Sequence, residues 1–301
     1  MRTTDWLLLF ALSVLWGLTY FFGVIATQSV PPLTLVLLRV ALAAMVLVPI
    51  VHLLGFRLPD NMAIWRSLAV LATLNNIIPF TLMFYGQPHV TGGLASVINA
   101  TTPLFTILIA RIFAHEPLSA AKIAGVLLGL AGVAVLMGPA AANMHATSLL
   151  GMVCFIGSSI SYGFSALWLR RFRDTPPLVS AAGQLVCSSA MMLVPALLER
   201  AWLLPMPPPS AIGAVLGLAV LSTALAYVLF FRISATAGAT NVMLVTLLIP
   251  VTATGLGAAF LGEELTAHQM LGALVIGSGL LIIDGRLLRF ARGAIAARRL
   301  G

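Results

Sequence analysis

PLFTILIARIFAHEPLS at residues 103–119 and PVTATGLGAAFLGEELT at residues 250–266 share a leading proline, Phe113/Phe260, Glu116/Glu263 and Leu118/Leu265, all at an offset of 147 residues. Carried outward at the same offset, Leu71, Ala72, Leu74, Phe84, Gly125, Leu127 and Gly132 fall on Leu218, Ala219, Leu221, Phe231, Gly272, Leu274 and Gly279, making eleven identities without a gap. The second half of the chain copies the first. Each half holds five hydrophobic stretches, and an odd number of crossings forces the second copy to enter a bilayer with the opposite orientation. Inverted-topology repeats are the architecture of alternating-access transporters.

Composition names the solvent. Hydrophobic residues make up 60% of the 301 and charged residues 8%, with a mean hydropathy of +1.09, whereas soluble domains carry about a quarter charged residues. Spans are read at 5–26, 33–54, 64–86, 91–113, 120–138, 147–169, 178–198, 210–232, 238–260 and 268–286. Each is near the ~17 to 25 residues that a membrane-crossing helix needs. The expected fold is an all-α polytopic membrane protein of ten transmembrane helices, arranged as two inverted five-helix repeats around a central cavity. Residues 1–140 form the first repeat, 146–287 the second, and 288–301 a basic tail.

Charge sets the orientation. By alternate loops, one side receives fourteen Lys and Arg residues, from Arg2 to Arg299, and the other only Arg200, with Arg39 inside a span. The positive-inside rule then places both termini in the cytoplasm of an inner-membrane protein. The sequence pI near 10.7 is a topology signal and implies no nucleic-acid partner; the basic tail is expected to lie on anionic headgroups. Cys154 and Cys187 fall inside spans without Cys-x-x-Cys spacing and read as apolar thiols. Trp16, Gly17, Thr19 and Tyr20 interrupt the first apolar run, which reads as an uncleaved span.

Polar residues within the spans locate a site. Arg39 is the ionisable residue inside the hydrophobic zone, costly there and functional by default; it either receives a substrate carboxylate, snorkels to water, or caps backbone carbonyls of span three or four. Its counterpart is Gln184, because Pro31-Pro32-Leu33 aligns with Pro176-Pro177-Leu178. Asn75 and Asn76 sit side by side in span three, about 100° apart on a helix, so they face different directions. With Asn99, Asn241, Gln184, Thr223 and Thr246 they describe a polar, uncharged passage or interhelical glue. Trp16 and Tyr20 share one face of span one, Tyr162 answers Trp16 in the second copy, and Tyr227 lies in span eight. Such rings can receive an ammonium group or stack on an aromatic solute. Pro79, Pro103 and Pro250 are read as kinks that free the carbonyls of Asn75, Asn99 and Thr246. Those carbonyls either face a wet cavity or are met by Thr101, Thr102 or neighbouring helices.

The Trp16-Gly17 pair, Arg39, the block from Pro103 to Ser119, its copy from Pro250 to Thr266 and the glycine-spaced fifth and tenth spans resemble the drug/metabolite transporter superfamily, specifically its ten-span EamA-type family. The resemblance covers almost the whole chain. It implies a substrate cavity lined by spans one to four and six to nine, with five and ten supporting from outside. Within the family the chain is similar to the YddG-type exporters of aromatic and other neutral amino acids. Trp16, Tyr20, Arg39, Asn75, Asn76, Asn99, Tyr162, Gln184, Tyr227 and Thr246 are the expected substrate-binding residues. Exporters of purines, nucleosides, drugs and other metabolites share the scaffold, some with proton coupling.

All eight acids, among them Asp5, Glu116, Glu199, Glu263 and Glu264, fall at span ends or in loops. Facilitated diffusion without a buried proton-carrying carboxylate is therefore expected, with Glu116 and Glu263 capping or anchoring the starts of spans five and ten. There is no His-Glu-x-x-His motif, aspartate pair or buried lysine, so neither an enzyme, a metal site nor a cofactor is expected. A channel or a sensor remains the alternative class. Gly125, Gly129, Gly132, Gly272, Gly277 and Gly279 allow close helix approach, within a monomer or across a dimer through spans five and ten.

Overall fold

A computed structural model describes residues 3–90, 92–117, 119–138, 149–261 and 266–284. The basic tail, Glu263 and Glu264 lie outside the described residues. Within these the chain is helical, with no strand: Thr3–Ala26 (α1), Pro32–Leu53 (α2), Met62–His89 (α3), Gly92–Asn99 (α4), Thr102–Ala114 (α5), Ala120–Met137 (α6), Leu149–Phe172 (α7), Pro177–Leu198 (α8), Pro209–Ala237 (α9), Ala239–Val242 (α10), Val245–Leu261 (α11) and Ala267–Asp284 (α12). Six of them, α1, α2, α3, α7, α8 and α9, are long and apolar enough to cross a membrane. They carry exposed Leu7, Phe10, Met45, Leu53, Val194 and Leu198 outside and buried Leu9, Leu12, Leu35, Leu47 and Leu185 inside. Helices apolar on both faces belong in lipid.

Local sequence explains the helix ends. Pro32, Pro103, Pro177 and Pro209 stand in first turns, where a missing N–H costs nothing. Asn61 accepts a bond from the Ala63 N–H at 2.8 Å and starts α3. Gly238 ends α9 at φ 92°, a conformation that a side chain would strain.

The interior irregularities are less predictable. π-Helical turns interrupt α3 at Thr73–Ile77 and α9 at Val220–Leu225. Their first residues are 147 apart, so both halves of the chain build the same defect at the same place. Expected spans four and nine are each two helices, broken at Ala100–Thr101 and at Met243–Leu244. This corrects the reading of Pro103 as a helix-interior kink. It opens α5, and the Asn99 carbonyl that it was expected to free accepts the Thr102 hydroxyl at 2.6 Å. Ile98 likewise accepts from Thr101 at 2.6 Å. Packing satisfies these carbonyls, as the alternative reading had it. Pro79 follows the π turn of α3, and Pro250 does lie inside α11.

Helix α2 packs along α8 and α6 along α12; α1 packs against α9 and α11, while α7 packs against α3 and α5. Each of these contacts is thus matched by one between the aligned helices of the other half. The α6/α12 pair is packed through Gly125, Gly132, Gly272 and Gly279, each at the other helix's backbone.

Candidate functional site

A cavity lies between the two halves. Helix α1 presents Trp16, Thr19 and Tyr20 to it, α2 presents Arg39, α3 Asn75, Phe80 and Met83, and α4 Asn99. Tyr162 of α7, Tyr227 of α9, Met243, and Thr246 and Ile249 of α11 complete the wall. Eight of the ten expected site residues are therefore brought together. Asn76 and Gln184 are not on the wall; both are fully buried behind it. The reason is angular, since adjacent helix positions diverge and only Asn75 can face inward.

Arg39 is buried at 1% exposure. It does not snorkel, nor does it cap spans three or four. Its Nε donates to Thr223 Oγ1 at 2.7 Å and its Nη2 to the Ser222 carbonyl at 3.3 Å, both on the π turn of α9. The guanidinium carbon stands 3.8 Å from the centre of the Phe80 ring, a stacking geometry that suits a desolvated arginine. No carboxylate pairs with it among the described residues. Its Nη1 has no partner, nor have Thr19 Oγ1, Tyr20 Oη and Asn99 Oδ1. Tyr20 and Asn99 stand on the same wall of the cavity. An unmet buried polar atom costs about 1–3 kcal/mol, so these four, all on the first half of the chain, are where a ligand is rewarded.

The polar groups around Asn75 and Asn76 behave differently. Ser165 donates to Asn75 Oδ1 at 2.8 Å and Asn76 Nδ2 to Ser188 Oγ at 2.7 Å. Tyr227 donates its hydroxyl to Asn76 Oδ1. Gln184 bridges both asparagines, at 3.4 and 3.5 Å. This network stiffens the wall without asking for a ligand. Aromatic packing continues it, with Trp16 5.5 Å from Phe230 and Phe230 edge-on to Phe231 at 5.3 Å.

Thr19, Phe80, Met83, Met243 and Ile249 line the cavity without having been singled out. Two of them left a signal: Thr19 stands one helical turn from Trp16, and Phe80 aligns with Tyr227 at the 147-residue offset. The apolar three left none. Asn241 instead donates to the Ala237 carbonyl at 2.8 Å and closes the end of α9. The described acids stay off the wall. Glu199 accepts from the Leu33 and Thr34 N–H groups, at 3.0 and 2.7 Å, and caps α2 from the end of α8. Asp5 accepts from Thr236 at 3.0 Å. Glu116, expected to cap or anchor α6, pairs with Arg170 at the end of α7.

The family profile described as "EamA-like transporter family" matches residues 5–138 and again 149–284. The chain is 27% identical to the "Uncharacterized inner membrane transporter YedA" of Escherichia coli (strain K12), over 96% of this chain and 93% of that one. It is 26% identical to the "Probable amino-acid metabolite efflux pump" of Salmonella typhimurium (strain LT2), over 94% and 95%. One crystal structure superposes with a TM-score of 0.73 at 21% identity, covering 94% of this chain and 98% of that one, which speaks to the fold alone. Helices clad in apolar side chains, a polar cavity between two matched halves and a profile that fits both halves lead to one conclusion: the chain belongs to the EamA-like transporter family and is a multi-pass transporter of the inner membrane.

Proposed function

We propose that this transporter exports small zwitterionic solutes, with aromatic and other neutral amino acids as the leading class, by alternating access of the central cavity. One observation carries the reading: Arg39 is buried, fixed and unpaired by any described carboxylate, with Nη1 left over on the cavity wall beside the unmet Tyr20 and Asn99 groups. A carboxylate completes the arginine, and an ammonium group finds the Asn99 carbonyl oxygen and the faces of Trp16 and Tyr162. The name of the Salmonella relative supports the same class.

The matched contacts and the loop charges support ten spans in two inverted repeats, 1–140 and 146–287, with both termini and the 288–301 tail cytoplasmic. With no described acid on the cavity wall, transport is facilitated diffusion down the solute gradient. Gly125, Gly132, Gly272 and Gly279 are taken up against the opposite helix, which supports a monomer. Uptake of labelled phenylalanine, tryptophan, threonine and a purine nucleoside into proteoliposomes, with and without an imposed pH gradient, tests this. Saturable amino-acid uptake indifferent to the gradient is expected. Gradient dependence sinks the uniport mechanism, and nucleoside uptake without amino-acid flux sinks the substrate class.

A further inference from the structure

The guanidinium of Arg39 is held on three sides, and α9 supplies the decisive one. In a regular helix a threonine hydroxyl returns to a carbonyl three or four residues back. On the π turn Thr223 Oγ1 instead donates to the Leu218 carbonyl, five residues back, at 2.7 Å. Its lone pairs then meet Arg39 Nε at 2.7 Å, while the adjacent Ser222 carbonyl takes Nη2 at 3.3 Å. Nε and Nη2 make up the side edge of the fork that would otherwise grip a carboxylate with two parallel bonds. That edge is occupied, Phe80 covers a face, and Nη1 is what remains for the cavity.

The aligned half of the molecule contains the same crossing without the charge. Ser222 and Thr223 align with Asn75 and Asn76, and Arg39 aligns with Gln184. Gln184 Nε2 donates to Asn76 Oδ1 at 3.5 Å, and Asn75 Nδ2 donates to Gln184 Oε1 at 3.4 Å. A π turn that meets the polar side chain of a crossing helix is therefore built twice, so it is a feature of the fold and owes nothing to the arginine's charge.

We infer that Thr223 is a positioning residue: it holds the side edge of Arg39 so that the Nη1 end alone meets the solute, and it thereby sets selectivity for solutes bearing a carboxylate. This rests on the reading of Arg39 as the carboxylate receptor. The test compares, in proteoliposomes, the KM of labelled phenylalanine with that of phenylalaninamide for the wild type, Arg39→Gln, Thr223→Val and Thr223→Ser. Thr223→Val is expected to raise the KM of the acid about tenfold, the worth of a bond to a charged group, with kcat and the KM of the amide unchanged. Thr223→Ser keeps the hydroxyl and restores the wild-type ratio.

If Arg39→Gln abolishes discrimination and Thr223→Val leaves it intact, the positioning role is overturned while the receptor role stands. If Arg39→Gln itself leaves discrimination intact, the receptor reading has failed. Nitrogen-15 arginine NMR of the detergent-solubilised protein then decides the positioning claim without any solute. The Arg39 Nε proton should exchange slowly in the wild type and Thr223→Ser, and fast in Thr223→Val. Equal exchange in all three overturns the claim.

Discussion

Between α6 and α12, a Cβ placed on Gly125 would come within 2.6 Å of the Gly279 carbonyl oxygen, and one on Gly272 within 2.5 Å of the Leu136 backbone. Around the cavity, in contrast, four buried polar atoms of wall residues have no hydrogen-bond partner. The first region is filled to backbone contact by residues without side chains. The second is walled by broken and π-turned helices whose polar ends are held but not used up. Van der Waals contact at short range makes a stiff support. Unmet polar atoms make a surface that a solute completes, at a standing cost in stability. On the proposed function, the difference separates what braces the transporter from what it binds with.

If that division is real, substitutions on the two sides should fail in different ways. The largest effect is expected from Gly272→Leu, because the new side chain meets backbone that cannot yield. Overpacking costs about 1–3 kcal/mol where neighbours can shift, and more where they cannot. Loss of monodisperse protein in size-exclusion chromatography is the readout, and normal folding with normal flux would break the comparison. Next comes Arg39→Gln. A buried charge replaced by a neutral side chain of similar shape leaves stability unchanged or raised, so Tm in detergent should hold while uptake of carboxylate solutes falls at least about tenfold. A lowered Tm with unchanged uptake would move Arg39 from the binding wall to the brace.

Smaller still is Ser188→Ala, which takes from Asn76 Nδ2 its 2.7 Å partner. About 1–3 kcal/mol is expected to be lost, seen as a drop in Tm with KM nearly constant, since Ser188 and Asn76 stand behind the wall. The smallest effect belongs to Gly277→Ala. A Cβ there meets nothing within 4 Å, so the α12 helix should gain up to about 1 kcal/mol from helix propensity. A loss of folded protein on that change would mean that Gly277 serves a contact outside the chain, such as a dimer.

Much of the site was readable because hydrocarbon makes polar residues conspicuous. Arg39, Asn75, Asn99, Trp16, Tyr20, Tyr162, Tyr227 and Thr246 stood out against an apolar background, and each reached the cavity. Asn76 and Gln184 carried the same signal and went behind the wall, because residue type says that a group must be satisfied and not which way it points. Met83, Met243 and Ile249 carried no signal, since an apolar lining residue looks like any core residue. Thr223 was noted as a hydrogen-bonding group, but its bond to Arg39 spans 184 positions of chain.

What the sequence determined by itself is whatever depends on composition, period and duplication: a membrane solvent, helices as the form that satisfies every backbone group there, the copying of one half into the other, and the glycines of α6 and α12. Tertiary structure alone decided the facing directions. The π turns at Thr73 and Val220 rotate the helix beyond them, and the breaks at Ala100–Thr101 and Met243–Leu244 re-aim Asn99 and Thr246. Such shifts exchange one backbone hydrogen bond for another at little local cost, so local sequence leaves them nearly degenerate. The choice falls to the contacts between helices, such as Arg39 crossing onto Thr223.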